Sequence, residues 1–221
     1  TLHAGGKFGG GAYRVSGGLH GVGSSVVNAL ADWMIVRVHR DGKVYRQEFR
    51  QGEVVSDLIL ESPRTKRRGT TVQFSPDLQI FQELDYDFDA LSQRFREMAY
   101  LNKNVSISLR SHWHRDRGIG KWDKSFRYEG GIVDFVRHLN AHRDVLHPQP
   151  FHVEKVVEST TVEIALQYNT GFYESTYAFA NCINTVDGGS HLAGFRAALT
   201  RVLNSYSRKQ KFLRDDQANL S

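Results

Sequence analysis

The sequence predicts an α+β fold built as two units that meet near Glu129–Gly130. Three observations predict it. Trp33–Arg40 and Lys43–Phe49 alternate in strand fashion on either side of Asp41-Gly42, a strong hairpin turn. Phe88, Leu91, Phe95, Met98 and Ala99 recur at helical spacing. Beyond Gly130 the chain starts again with a helix, runs through strand-like segments and closes on a long helix.

Taken in order, residues 1–17 are Gly-rich and predict a flexible, lid-like loop. Residues 23–32 predict a short helix. After the hairpin, 54–60 and 70–74 predict further strands, with a basic tip, Arg64-Thr65-Lys66-Arg67-Arg68, between them. Phe88–Leu101 is a helix, and Val105–Leu109 alternates as a strand. Residues 111–124 are polar and irregular and predict a surface hairpin. His112 and His114 lie there without the partners a metal site needs. A helix runs from Gly130 to about Ala141, and Pro148 and Pro150 mark a linker. Strand-like runs follow at 151–158, 160–167 and 173–183. The last helix covers 191–209, with Ser190 as N-cap and Leu192, Phe195, Leu199 and Leu203 on its apolar face.

Composition narrows the function classes. The chain has 221 residues, 40% of them hydrophobic, and a mean hydropathy of −0.46. No apolar run approaches the roughly 18 residues of a membrane-spanning helix. Cys182 is the only cysteine, so no internal disulfide forms, and a reducing cytoplasm fits. A net charge of +5 permits a nucleic-acid partner without requiring one. Thr1 opens inside a Gly-rich segment and Ser221 closes without a finishing element, as an internal piece of a longer protein would.

The most informative segment is Gly17-Gly18-Leu19-His20-Gly21-Val22-Gly23-Ser24, with four glycines in eight residues and a helical run directly behind it. Bare backbone amides at a helix start, where the dipole is positive, are suited to hold phosphate. The glycines stand in the reverse order to a dinucleotide fingerprint, with no strand before them. The absence of Gly-Lys-Ser/Thr excludes a P-loop. Spacing alone leaves two readings open, a polyphosphate cradle or a glycine turn capping a core helix.

Longer motifs occur in order along the chain: Leu2-His3-Ala4-Gly5-Gly6-Lys7-Phe8, Ser16 to Gly23, Val26-Val27-Asn28-Ala29-Leu30, Tyr128-Glu129-Gly130-Gly131, and Asp187-Gly188-Gly189-Ser190-His191-Leu192-Ala193-Gly194-Phe195-Arg196. Together they resemble the DNA gyrase B family of bacterial type IIA topoisomerases, which carry a GHKL-type ATPase. The resemblance spans essentially the whole chain. Its Tyr-Glu-Gly-Gly and His-Leu-Ala-Gly-Phe-Arg forms look more like gyrase than like the corresponding B protein of topoisomerase IV.

The resemblance implies a fold and a set of roles. Residues 1–129 would be the C-terminal part of a GHKL (Bergerat-type) ATPase sandwich, with an ATP lid at 1–17 and a phosphate loop at 18–24. Residues 130–221 would be part of a transducer domain, ribosomal-protein-S5-domain-2-like. Lys7 and Tyr13 match lid residues that contact nucleotide, and Gly18, Leu19, His20, Gly21, Val22, Gly23 and Ser24 match the phosphate loop. Arg40 matches an arginine at the rim of the adenine pocket, Thr70 a threonine that helps hold adenine, and Arg196 an arginine facing transported DNA. ATP and Mg2+ are the implied cofactors. The implied partners are DNA, gyrase A in an A2B2 heterotetramer, and a second copy of gyrase B on ATP binding. The implied activity passes one duplex through a transient break in another and introduces negative supercoils.

The family's catalytic Glu, magnesium-binding Asn, Asp-x-Gly-x-Gly strand and dimerisation arm would precede Thr1. Its Gln-Thr-Lys loop would follow Ser221. No catalytic residue or metal ligand is therefore assigned within 1–221, and the isolated chain is expected to be inactive. Two departures stand out. Gly9-Gly10-Gly11-Ala12 predicts a looser lid, and the polar stretch 111–124 is longer than usual. Two other readings stay open. Another GHKL protein (a mismatch-repair ATPase, heat-shock chaperone or sensor kinase) should lack the motif from Asp187 to Arg196. A non-enzymatic nucleic-acid-binding module should show a basic stripe with interleaved aromatics.

Overall fold

The computed structural model describes residues 22–214 and 216–220. The chain is α+β and divides into two compact units between Gln93 and Arg94.

In the first unit, α1 (Gly23–Ala29) leads directly into β1 (Ala31–Arg40), which pairs with β2 (Lys43–Arg50) around the Asp41-Gly42 turn. Both turn residues have positive φ, 52° and 73°, the geometry a two-residue hairpin demands. β3 (Glu53–Val54) and β4 (Ile59–Ser62) both pair with β2, and β5 (Gly69–Pro76) pairs with the opposite side of β1, giving the order β3-β2-β1-β5 with β4 also on β2. Alternation sorts the two faces. The register puts Met34, Val36, Val38, Tyr45, Phe49, Val72 and Phe74 on one face. Arg37, Arg46, Glu48 and Glu61 interlock on the other, with Arg37 to Glu61 at 3.0 Å and Arg46 to Glu48 at 2.8 Å.

The helix expected over 23–32 stops at Ala29, because the sheet claims the residues that follow it. Leu30 O accepts from Asp77 N at 3.0 Å, Ala31 O accepts from Gln51 N at 3.1 Å, and Ala31 is fully buried. The single strand expected over 54–60 is two pieces. Ser56 Oγ takes the Glu48 amide at 2.9 Å, and that side-chain bond replaces the ladder until Ile59.

The division between the units falls inside α2 (Phe88–Leu101), whose observed bounds match the predicted ones. Asp87 caps this helix, its Oδ1 accepting from Asp89 N and Ala90 N at 2.8 and 2.9 Å. The second unit continues with β6 (Ile107–Arg110), α3 (His112–Arg117) and β7 (Asp123–Phe126). The stretch expected to be an irregular hairpin thus contains a helix. Ser111 is its N-cap, and Gly118 ends it in the left-handed region at φ 63°. β6 and β7 do pair across it.

α4 (Ile132–Leu139), the hairpin β8 (Phe151–Val157) and β9 (Thr160–Leu166), the small hairpin β10 (Phe179–Ala180) and β11 (Ile183–Asn184), and α5 (Ser190–Lys209) complete the unit. The strand expected over 173–183 is mostly absent. Asn181 and Cys182 take φ of 52° and 67°, which turns that run back on itself. Gly189 and not Ser190 is the N-cap of α5, and no side-chain bond caps it. Ala99, Tyr100, Phe126 and Phe135 form the buried centre of this unit. Tyr100 stacks on Tyr128 with ring centroids 3.7 Å apart and on Phe135 at 5.0 Å. Burial pushes the Tyr100 hydroxyl well above the ordinary phenol range, and the hydrogen bond with Tyr128 adds to this.

Candidate nucleotide site

Among the described residues, nothing caps the start of α1. Val22 is its N-cap with no side-chain cap bond, and the first turn holds no acidic residue. A Cβ built on Gly23 would meet nothing within 4 Å, and Ser24 is exposed. First-turn amides with no side-chain partner carry the partial positive charge of the helix end. The far end of α1 is fixed. Asn28 Nδ2 donates to Gly52 O at 3.2 Å, and a Cβ built on Gly52 would stand 3.4 Å from Ala29 Cα. Asp77, which is buried, accepts from Gln51 Nε2 at 3.0 Å and from Gln79 N at 2.8 Å, so the segment joining α1 to the sheet is also held.

Thr70 pairs with Val38, two residues before Arg40 on β1, so Thr70 and Arg40 share one end of the sheet and one face. Apart from Gln47 and Lys43 that face is mainly apolar, and Val72 and Phe74 are 52% and 44% exposed on it. Apolar surface with a few placed polar groups suits a planar base. Arg40 is exposed and lies 3.4 Å from Asp41. A ten-residue strand runs about 30 Å, while the seven-residue α1 runs only about 10 Å. Whatever course α1 takes, Gly23 and Arg40 are thus separated by more than about 12 Å. Arg40 and Thr70 come together at one end, and the Val22–Ser24 segment stands apart from them. An elongated ligand with a base at one end and phosphates at the other matches that separation. Lys7, Tyr13, Gly18, Leu19, His20 and Gly21 lie outside the described residues.

On α5, Arg196 Nη2 donates to Glu174 Oε1 at 2.7 Å, with both side chains mostly exposed. The Glu174 carboxyl is held below the usual range by the Thr176 hydroxyl and then by Arg196. Arg196, Thr200, Arg201, Arg208 and Asn219 line an open groove of about 560 Å³. Such a groove attracts phosphate without reading sequence.

Sequence reasoning missed one cluster. His152, Glu154 and Glu163 bring ligand-type atoms within 4.8 Å of one another. Lys103 Nζ already stands 2.6 Å from Glu163 Oε1 and 3.6 Å from Glu154 Oε2. The two-residue turn between β8 and β9 places Glu154 opposite Glu163, which the sequence pattern held in latent form. The approach of Lys103 was not readable from it.

Comparison with known proteins bears on the whole chain. The DNA gyrase B family model matches residues 131–221. The DNA gyrase B protein of Enterococcus faecalis is 52% identical over 224 residues, which take in 100% of this chain and 34% of that protein. The chain is similar to DNA gyrase B along its whole length. It spans about a third of the length of the gyrase B proteins of Enterococcus faecalis, Streptococcus pneumoniae and Clostridium acetobutylicum. A Bacillus mycoides gyrase B sequence is 47% identical, covering 99% of this chain and 53% of its own length. Among solved structures, the 43K ATPase domain of Thermus thermophilus gyrase B, in complex with an aminocoumarin, matches with a TM-score of 0.78 and 34% identity. That match covers 91% of this chain and 54% of that one. The gyrase form expected from Tyr128–Gly131 and His191–Arg196 agrees with the names of these relatives.

Proposed function

We propose that residues 1–221 belong to the ATP-driven part of a gyrase-type DNA topoisomerase. The observation that carries this is the 52% identity to a gyrase B protein along the entire chain. The site geometry supports it, with an uncapped helix start at Val22–Ser24 and an apolar sheet face bearing Thr70 and Arg40. Residues 1–129 act as the ATPase part and 130–221 as the transducer. Gly18 to Ser24, with Lys7, hold the phosphates through amide donors and positive charge. Tyr13, Arg40 and Thr70 contact the nucleoside end. Arg196 and its groove meet the phosphates of a passing duplex. Magnesium neutralises phosphate charge when bound. The first turn of α1 offers it no carboxylate, so its protein ligand lies elsewhere.

The assembly is A2B2 with DNA, the two gyrase B copies dimerising on ATP, and it works in the cytoplasm. Among the described residues no helix is long and apolar enough to cross a membrane. Binding energy from ATP closes the clamp and moves the transducer, as linkage requires. The native gene product that carries residues 1–221, mixed with gyrase A of its own organism and relaxed plasmid, should introduce negative supercoils only when ATP is hydrolysed. Relaxation or decatenation without negative supercoiling would point to topoisomerase IV, and no ATP-dependent change in linking number would end the topoisomerase reading. Residues 1–221 alone should show no ATP turnover.

A further inference from the structure

Lys103 lies two residues beyond α2, and its stem crosses directly over Gly131. A Cβ built on Gly131 would stand 2.6 Å from Lys103 Cε and 2.8 Å from Cγ, and Gly131 has φ +60°. The absent side chain is what lets the stem through. Beyond it, Nζ donates to Glu163 Oε1 at 2.6 Å. The same oxygen meets His152 Nε2 at 2.9 Å.

Glu154 and Glu163 face each other across β8 and β9. Like charges directly opposite on a ladder repel, so this hairpin needs a cation, and Lys103 brings one from the end of α2. The contact is an ion pair and not a packed apolar seam, with side-chain exposures of 34% for Lys103 and 27% for Glu163. A partly exposed ion pair of this kind is weak enough to break and reform. Gly131, beneath the stem, is also the first residue matched by the gyrase B family model.

We infer that Lys103 is a positioning residue that ties the β8–β9 hairpin to the end of α2 and carries movement of that helix into the transducer during the ATP cycle. This rests on the ATP-driven reading above. The test uses the native gene product with its gyrase A partner and compares wild type, Lys103→Met, Lys103→Arg and Glu163→Gln. Supercoils formed per ATP are measured, together with hydrogen exchange in residues 151–166 with and without a non-hydrolysable ATP analogue.

Lys103→Met should keep ATP turnover within about twofold while lowering supercoils per ATP by at least about fivefold. Its hairpin should lose the exchange response to nucleotide, Lys103→Arg should restore both readouts, and Glu163→Gln should reproduce the defect. Should Lys103→Met fail to fold, Glu163→Gln decides alone. An active wild type with unchanged coupling in the variants overturns this inference only. Proportional loss of turnover and supercoiling without rescue by arginine overturns it too, by reducing Lys103 to a stabilising contact. A wild type lacking ATP-driven supercoiling removes the functional reading and this inference with it.

Discussion

Asn204 and Leu220 form a two-way amide pair: Asn204 Nδ2 donates to Leu220 O at 3.0 Å, and Asn204 Oδ1 accepts from Leu220 N at 2.7 Å. Asn204 is buried on α5 and also donates to Thr200 O at 2.9 Å. One turn on, Arg208 donates to Arg214 O, Gln217 O and Asn219 Oδ1 at 2.6, 2.9 and 2.9 Å. These bonds lay the segment after α5 back along the helix and form one wall of the arginine-lined groove. Asn204→Ala removes both partners of Leu220 from a buried position. It should cost about 1–3 kcal/mol, read from denaturant unfolding, and should speed exchange of the Leu220 amide. An unchanged midpoint with unchanged exchange would show that the fold-back is held without Asn204.

Gly131→Ala meets two obstacles. The backbone at φ 60°, ψ −127° is one that side chains rarely adopt, at a cost of about 1–3 kcal/mol. The new Cβ also pushes on the Lys103 stem. The strain remains when Lys103 is shortened, but the collision does not. A cycle of Gly131→Ala and Lys103→Ala should therefore show a coupling of about 0.5 kcal/mol or more, with Gly131→Ala less harmful in the Lys103→Ala background. Strict additivity would mean that the stem passes elsewhere.

What could be read from the sequence follows from the range of each signal. The Asp41-Gly42 hairpin and helix α2 were readable because turn chemistry and periodicity act within a few residues. The end of α1 was not, because Leu30 and Ala31 are claimed by Asp77 and Gln51, 47 and 20 residues away. The run 173–183 alternates well enough for a strand, yet Asn181 and Cys182 adopt positive φ that their residue types only weakly announce. In the site, Gly23 at a helix start was legible from glycine content, and the pairing of Thr70 beside Arg40 follows from strand register. The Glu174 partner of Arg196 and the Lys103 cluster depend on tertiary approach, which no local pattern encodes.

Arg196 is engaged by Glu174 before any DNA arrives. A phosphate therefore competes with a carboxylate for the guanidinium. Glu174→Gln removes that competitor's charge and should raise affinity of the native gene product for short duplex DNA. Arg196→Ala should weaken binding uniformly across sequences and reduce the slope of log affinity against log salt by about 1. Anisotropy titrations at several salt concentrations read both. An Arg196→Ala slope equal to wild type would remove Arg196 from the DNA-contacting set.

The Lys103–Glu163 pair also sets a pH dependence whose sign can be worked out. Burial alone would raise the Glu163 pKa. Hydrogen bonds and charge from Lys103 and His152 outweigh it, so the carboxyl titrates below its ordinary value. Its contribution to stability is present above the unfolded-state value of about 4.3 and is lost as pH falls through the depressed folded value. For Lys103 the hydrogen bond to Glu163 is the main cause of a raised pKa. Its contribution is full below about 10.4 and is lost as pH rises through the higher folded value. Between these limits both members of the pair are charged. The gap in Tm between wild type and Glu163→Gln should be widest across that plateau. It should close in acid as Glu163 protonates in the folded state, and close again in strong base as Lys103 loses its proton. A gap that stays constant into acid would mean that Glu163 acts through packing and not through charge.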